Sequence, residues 1–363
     1  MMERSKKPGI LKRSKKADSL NDQIKRKVYE TKEKEQTKEL DGTFFGNNIS
    51  TGSTLLDLAI SGGRVRGGGL PSGVLVEIFG PSGSGKTVLL SEIAGDIQRK
   101  NGQLMFYDPE ARLNKPFAKM FGLNIDDENY SRPNTIPQVF RAVRKWEPEG
   151  DKKIVHGVMA DSLAALSTNQ EMENEEGDKM GMRRPKEFSE ELRRTCRILP
   201  AKNILMVCSN QVRENIDAGK WGQKYSSPGG LAIGFYASLR LMTKITKKIK
   251  KEKTFRGKAV SRIIGVDLEV EVFKNSIWKP FRTAPVTIIF DYGVDDIRQN
   301  LQFIKDFSKT SVYTINNESL DKSMDIAIRK IEEEDREEEL RQEVILLWNK
   351  IEMEFNSVRK SKR

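Results

Sequence analysis

Two cysteines in 363 residues, Cys196 and Cys208, stand twelve positions apart. That spacing is neither a metal-ligand pair nor a C-x-x-C motif. A zinc ribbon, a disulfide framework and a dithiol catalyst are therefore excluded, and two buried, reduced thiols are expected. Long apolar runs are missing as well. No stretch approaches the roughly 18 residues of a membrane span, and the first residues carry no signal-peptide apolar core. The expectation is a cytoplasmic protein with no membrane partner. No internal repeat appears. Negative charge is in deficit: 52 acidic against 64 basic side chains, a formal net charge of +12 and a pI near 9.4. Such a balance points to a polyanionic partner, and without a lipid anchor that partner is expected to be nucleic acid.

The excess is localised. Residues 1–40 hold thirteen basic and seven acidic side chains and almost no aromatics. They read as a basic arm in which Asp22–Leu40, with its i,i+4 charge pairs, is a candidate exposed helix. Phe44, Phe45 and Ile49 then reintroduce large apolar groups, so a folded core is expected over residues 41–295. In it, apolar runs at Val74–Phe79, Gln103–Tyr107, Ile154–Ala160 and Ile204–Ser209 alternate with helical segments such as Gln138–Trp146 and Ser189–Leu199. This predicts an α/β fold with a mostly parallel central sheet. Leu239–Ile245, Ile263–Phe273 and Val286–Phe290 alternate more and read as antiparallel. Arg240–Arg262 carries ten cations against Glu252 alone. Residues 296–363 read as a helical C-terminal segment in which Ile326–Val358 is one long helix with a solvated acidic patch at Glu332–Glu339.

The chemistry begins at Gly80-Pro81-Ser82-Gly83-Ser84-Gly85-Lys86-Thr87, a complete G-x-x-x-x-G-K-T phosphate loop. It follows the β-branched run Val74–Phe79. It precedes a stripe of Val88, Leu89, Leu90, Ile93, Ala94 and Ile97 at helical spacing, so the strand–loop–helix context of the motif is complete. The glycines let backbone N–H groups converge on phosphate oxygens at a helix N-terminus. Lys86 is placed to reach the β- and γ-phosphates, and the Thr87 hydroxyl to ligate Mg²⁺. A nucleoside triphosphate is the implied ligand.

The remaining strand ends choose among phosphate-loop chemistries. Cys208-Ser209-Asn210-Gln211 stands where a GTPase would carry its guanine-reading N-K-x-D element, and no arginine-rich kinase lid is apparent. Instead the next run ends in Tyr107-Asp108-Pro109-Glu110, and a carboxylate at that edge can polarise water towards a γ-phosphate. Asp161 closes the third run and is placed to order the Mg²⁺ shell. At the end of the fourth, an amide of Asn210-Gln211 can bond the γ-phosphate. ATP hydrolysis is the favoured reaction.

At this point the chain resembles the RecA family of strand-exchange recombinases over about residues 44–295. Ile49-Ser50-Thr51-Gly52-Ser53 with Leu56-Asp57, and Gly69-Leu70-Pro71-Ser72-Gly73, are similar to that family's entry into its core. Glu110-Ala111 and Pro116-Phe117 resemble the catalytic-glutamate segment and the aromatic that stacks on adenine. Asp161–Leu166 resembles the second nucleotide motif, Ser209–Arg213 the γ-phosphate sensor, and Gly229-Gly230 with Phe235–Ser238 the end of the second DNA loop. The resemblance implies a P-loop NTPase core of RecA type, with ATP and Mg²⁺ as cofactors. It also implies a homo-oligomeric helical filament on single-stranded DNA, pairing with homologous duplex DNA, and single-strand-binding and mediator proteins as helpers.

Under the same resemblance, residues 171–185 and 212–228 correspond to the two DNA loops. Arg183, Arg184, Arg213, Lys220 and Lys224 would contact phosphate, Met180, Ile216 and Trp221 bases, and Gly229 and Gly230 the loop end. Lys274-Asn275-Ser276 is similar to the segment that reaches a neighbour's γ-phosphate. The family pattern has lysine on both sides of the asparagine; here Ser276 leaves Lys274 alone to supply that charge. Glu269 and Glu271 are acidic where the family is basic in a secondary DNA site, and the lysine-rich Lys244–Lys258 hairpin is expected to take over that role. These divergences point towards a bacteriophage version, whose compartment would be the host cytoplasm. The sequence thus predicts an ATP-dependent recombinase that polymerises on single-stranded DNA and exchanges strands. Two alternatives are a RecA-like mediator without strand exchange and a ring helicase on the same core. Intact Glu110 and Gln211 disfavour the first, and the shortness of the arm disfavours the second.

Overall fold

The computed structural model describes residues 47–151, 153–168, 183–214, 225–226 and 231–355. The chain divides into residues 1–43 and 44–363; the basic arm lies outside the described residues.

A short buried helix, α1 (Thr54–Ser61), opens the fold, with the Ser53 hydroxyl accepting from Leu56 N. Then follow β1 (Leu75–Gly80), α2 (Lys86–Arg99), β2 (Leu104–Tyr107), α3 (Lys115–Met120), β3 (Tyr130–Ser131), α4 (Ile136–Lys145) and β4 (His156–Ala160). Next come α5 (Arg183–Cys196), β5 (Ile204–Gln211), the short pair β6 (Arg213–Glu214) and β7 (Tyr225–Ser226), and α6 (Leu231–Tyr236). The sheet is completed by β8 (Leu239–Phe255), β9 (Lys258–Asn275), β10 (Thr283–Ile289) and β11 (Gly293–Val294).

Nine strands form one sheet in the order β11-β10-β9-β8-β1-β5-β4-β2-β3. Every pairing from β8 to β3 is parallel, and those from β8 to β11 are antiparallel. The strand β8 is thus parallel to β1 on one side and antiparallel to β9 on the other, so the later strands join the main sheet. Layering explains why the parallel strands read as unbroken apolar runs. Val76, Ile78, Leu205 and Val207 pack under α2 in one core, whereas Leu75, Ile204, Met206 and Cys208 face α4, α5 and α6 in the other. Cys208 is fully buried and Cys196 half-buried; both are unpaired, and burial pushes the Cys196 thiol up to about 11.

The region past Asp295 departs from the sequence expectation. After α7 (Asp296–Phe307) comes a hairpin, β12 (Tyr313–Ile315) and β13 (Glu318–Asp321), then two helices, α8 (Met324–Glu333) and α9 (Glu337–Glu354). The single helix expected over Ile326–Val358 is broken at Asp335, whose φ of 51° stops the first helix. Arg336 sits in the break and pairs with Glu318, Glu334 and Glu339, gathering acidic groups that would repel one another along one continuous helix. Residues 356–358 lie outside the described residues.

Candidate nucleotide site and DNA loops

Parallel register puts the C-terminal ends of β1, β2, β4 and β5 on one sheet edge. Gly80 is opposite Gln211, and Tyr107 opposite Ala160, so the residues just beyond those ends converge. The phosphate loop leaves β1 there and enters α2 through Gly85, whose φ of 78° and ψ of 10° lie in the left-handed region. A Cβ on Gly85 would come within 2.5 Å of Ile288 Cδ1, while one on Gly83, also at positive φ (73°), would meet nothing within 4 Å. One glycine thus turns the chain against the sheet and the other leaves an open backbone concavity at a helix N-terminus, where first-turn amides lack intrahelical acceptors. Ser84 is held from inside, donating to Pro81 O and sharing a 2.7 Å hydrogen bond with Thr243.

The lysine that follows is buried, and its Nζ donates to the loop's own carbonyls, Gly80 O at 3.0 Å and Pro81 O at 2.7 Å. Burial lowers the Lys86 pKa, opposed by the charge of Asp161. Thr87 Oγ1 donates to Asp161 Oδ2 at 2.6 Å, and Ser209 Oγ donates to the other carboxylate oxygen. A hydroxyl and a carboxylate are the hard oxygen donors that suit Mg²⁺. No cluster of three or more acidic, His or Cys side chains capable of holding a metal occurs among the described residues. The Thr87 hydroxyl and the Asp161 carboxylate would leave the other positions of a Mg²⁺ shell to phosphate and water. The residues fit a Mg–nucleotide.

Glu110 lies just past β2 at the same edge, partly exposed, in an ion pair with Arg112 (3.1 Å). Desolvation raises its pKa; Arg112 pulls it down and the charge of Asp161 pushes it up. Glu110, Arg112, Asp161 and Lys86 therefore feel one another's fields. Phe117 lies on α3, capped by Asn114, with its ring edge-on to Phe121 at 4.9 Å between centroids. Gln211 is the half-buried last residue of β5. Its neighbour is settled differently. Asn210 is fully buried and its Nδ2 donates to Glu77 Oε1 at 3.0 Å, so only Gln211 remains for a phosphate.

Lys274 is not brought to the phosphate loop of its own chain. It pairs in register with Arg240, which lies opposite Glu77, three residues back from Gly80 or about 10 Å along the strand. Its Nζ donates to the carbonyls of Gly234 (2.9 Å) and Phe235 (3.0 Å). Asn275 ties down the strand end, donating to Ile60 O and accepting from the amides of Ile277 and Trp278.

The loop residues are only partly described. Arg183 and Arg184 form the first turn of α5 rather than loop backbone, and Arg213 belongs to β6, which pairs with β7 through Arg213–Ser226 and Glu214–Tyr225. The second loop therefore has a short antiparallel neck. Met180, Ile216, Lys220, Trp221, Lys224, Gly229 and Gly230 lie outside the described residues.

Sequence reasoning missed three participants. Arg112 stands two positions after Glu110, and Ser209 directly before Asn210-Gln211; both were adjacent to motif residues and carried that much signal. The third is Arg240, whose Nε donates to the fully buried Glu77 at 2.6 Å and whose guanidinium lies 4.5 Å from the Phe79 ring centroid and 5.3 Å from that of Phe273. Nothing in the sequence links residues 163 positions apart.

A parallel α/β sheet with a phosphate loop, a hydroxyl–carboxylate pair beside it and an edge glutamate defines a P-loop nucleoside-triphosphate-binding protein. Residues 34–295 match the family described as the RecA N-terminal domain. Protein RecA of Delftia acidovorans is 33% identical over 246 residues, which cover 68% of this chain and 62% of that protein. Protein RecA of Thermus thermophilus is 35% identical over 250 residues, covering 69% and 68%, and that of Methylococcus capsulatus 35% over 247, covering 68% and 66%. The chain belongs to the RecA family, whose members are recombination and repair proteins that bind DNA and ATP. No helix among the described residues is long and apolar enough to cross a membrane.

Proposed function

We propose that this protein is a DNA-dependent ATPase that polymerises on single-stranded DNA and catalyses homologous pairing and strand exchange. The observation that carries the reading is the convergence of Lys86, Thr87, Asp161 and the Glu110–Arg112 pair at one sheet edge, together with family membership over the whole core. Lys86 neutralises the β- and γ-phosphate oxygens once it leaves the loop carbonyls. Thr87 and Asp161 would hold Mg²⁺, which would offset the charge on those oxygens. Glu110 orients a water and accepts its proton as the water oxygen bonds to the γ-phosphorus and the bond to the bridging oxygen breaks. Gln211, opposite Gly80 and directly before the neck of the second DNA loop, couples the γ-phosphate to that loop. Phe117 offers an aromatic face to adenine.

The amine of Lys274, directed at Gly234 and Phe235 and distant from its own phosphate loop, is assigned to a neighbouring protomer's nucleotide. Arg183, Arg184, Arg213, Lys220 and Lys224, with Met180, Ile216, Trp221, Gly229 and Gly230, are assigned to single-stranded DNA. The direct test is electron microscopy with ATP and oligo(dT). The proposal expects helical filaments that dissociate as nucleotide is consumed. Closed rings would favour a helicase, and unassembled particles would overturn the reading.

A further inference from the structure

The hairpin formed by β8 and β9 runs well past the sheet. The last pairing of β1 with β8 is Phe79–Met242, and β10 leaves β9 at Gly265. Beyond these, from Lys250 and Ile263 outward, the two strands pair only with each other among the described residues, through six register pairs ending at Phe255–Lys258. The turn is Arg256-Gly257, both at positive φ, so the strands close tightly and the ribbon stays regular. It is about 20 Å long.

Directly opposed residues of an antiparallel pair share a face, and successive residues alternate. The six pairs therefore sort the side chains without ambiguity. One face holds Lys251 with Arg262, Lys253 with Val260, and Phe255 with Lys258. The other holds Lys250 with Ile263, Glu252 with Ser261, and Thr254 with Ala259. The first carries four cations and no acid, and the second is neutral. None of Lys251, Lys253, Lys258 and Arg262 makes an ion pair among the described residues, whereas Arg298 and Arg336 of the C-terminal region do. At the root, Lys250 and Lys251 share a groove of about 430 Å³ with Asp325 and Glu332 of α8; Asp325 is already paired with Arg298. Further out, the only carboxylate on the ribbon is Glu252, on the opposite face. The tip exposes one aromatic between cations: Phe255 shows 66% of its surface, with the Arg256 guanidinium 5.4 Å from its ring centroid.

We propose that the cationic face of this ribbon is a duplex-DNA docking surface, seated in the major groove with Lys251, Lys253, Lys258 and Arg262 on the flanking phosphates and Phe255 against base edges. A two-stranded ribbon fits the major groove, which is about 12 Å wide, and aromatic contact with a thymine methyl is chemistry available there. Alternate residues of one strand present cations about 7 Å apart, a spacing suited to a run of phosphates. Glu269 and Glu271, lower on β9, leave the base of the hairpin less suited to the task than its distal part. The assignment deepens the recombinase reading by locating its duplex contact, and it rests on that reading for the choice of duplex as ligand.

The experiment measures fluorescence anisotropy of a labelled 30-base-pair duplex, and separately of oligo(dT), over a salt series with the full-length protein. Three proteins are compared: the parent, a quadruple variant (Lys251→Gln, Lys253→Gln, Lys258→Gln and Arg262→Gln), and an opposite-face control (Lys250→Gln with Glu252→Gln). The quadruple variant should lose at least about tenfold in duplex affinity near 0.1 M salt and about 3 to 4 in the slope of log K against log salt. Its oligo(dT)-stimulated ATP hydrolysis should stay within twofold of the parent, which also shows that it is folded, and the control should bind duplex like the parent. An unchanged duplex affinity and slope in the quadruple variant would overturn the proposal, as would equal losses in the control or an equal loss for oligo(dT). A parent that assembles no filament on oligo(dT) would refute the recombinase reading, whereas the difference between the two faces on duplex would still decide the ribbon.

Discussion

Glu110 carries the sharpest consequences at the scale of single residues. If it takes the proton from water as proposed, it should be irreplaceable by its amide. Glu110→Gln is expected to lower kcat by about 10²–10⁴-fold in a steady-state ATPase assay with binding to oligo(dT) retained; hydrolysis at the parent rate would remove Glu110 from the mechanism. The carboxyl titrates above its ordinary value of 4.5 because of desolvation, and Arg112 holds it down. A base works deprotonated, so the rate should fall as pH drops through this raised pKa, above the usual glutamate range. Arg112→Ala removes the opposing cation and should move that acidic limb to higher pH in a kcat profile. A limb that stays in place or moves lower would show that Arg112 does not tune Glu110. The phosphate loop, Glu110, Asp161 and Gln211 were legible as candidates because each lies at a strand end within a contiguous motif. The orientation of Asn210 towards Glu77 was not, since its partner enters from another strand.

At the scale of elements, the C-terminal helices show what hydrophobic pattern can and cannot specify. Leu340 and Val344 of α9 are fully buried in the main core with Ala327 and Ile331 of α8. The helix is anchored by Trp348 against Trp278, and by Glu352 paired with Arg282, whose guanidinium lies 3.9 Å from the Trp278 ring centroid. Leu340→Ala should therefore reduce unfolding free energy by about 2–5 kcal/mol in a urea titration. A loss below 1 kcal/mol would mean that α9 is not integral to the fold. The pattern made this region helical, but it missed the break at Asp335 and the β12–β13 hairpin, and Phe355, at the end of the apolar stripe, is exposed. The Asn316-Asn317 turn, both residues at positive φ, was the available hairpin signal.

The whole molecule matters most at Lys274, which register places away from its own nucleotide pocket. If its amine serves the next protomer, two defective chains should complement one another. Lys86→Ala cannot bind nucleotide productively, and Lys274→Ala cannot assist a neighbour. In a head-to-tail filament of equal parts, about a quarter of the interfaces unite an intact pocket with an intact Lys274. Mixing should thus restore a substantial part of the DNA-stimulated ATPase that neither variant shows alone. Activity no higher than the average of the two separate variants would show that Lys274 does not act across an interface.

By itself the sequence determined the phosphate loop, the parallel α/β core and the basic character of the chain. Phosphate binding is built from eight consecutive residues, and apolar runs between helices dictate buried strands whatever their order. Tertiary structure alone decided which distant groups meet: Glu77 with Arg240, Asp161 with Ser209, Lys274 with Gly234. It also decided which lysines of the long hairpin share a face. Those outcomes depend on strand order and register, and moving a strand by one residue would exchange its two faces without altering its composition.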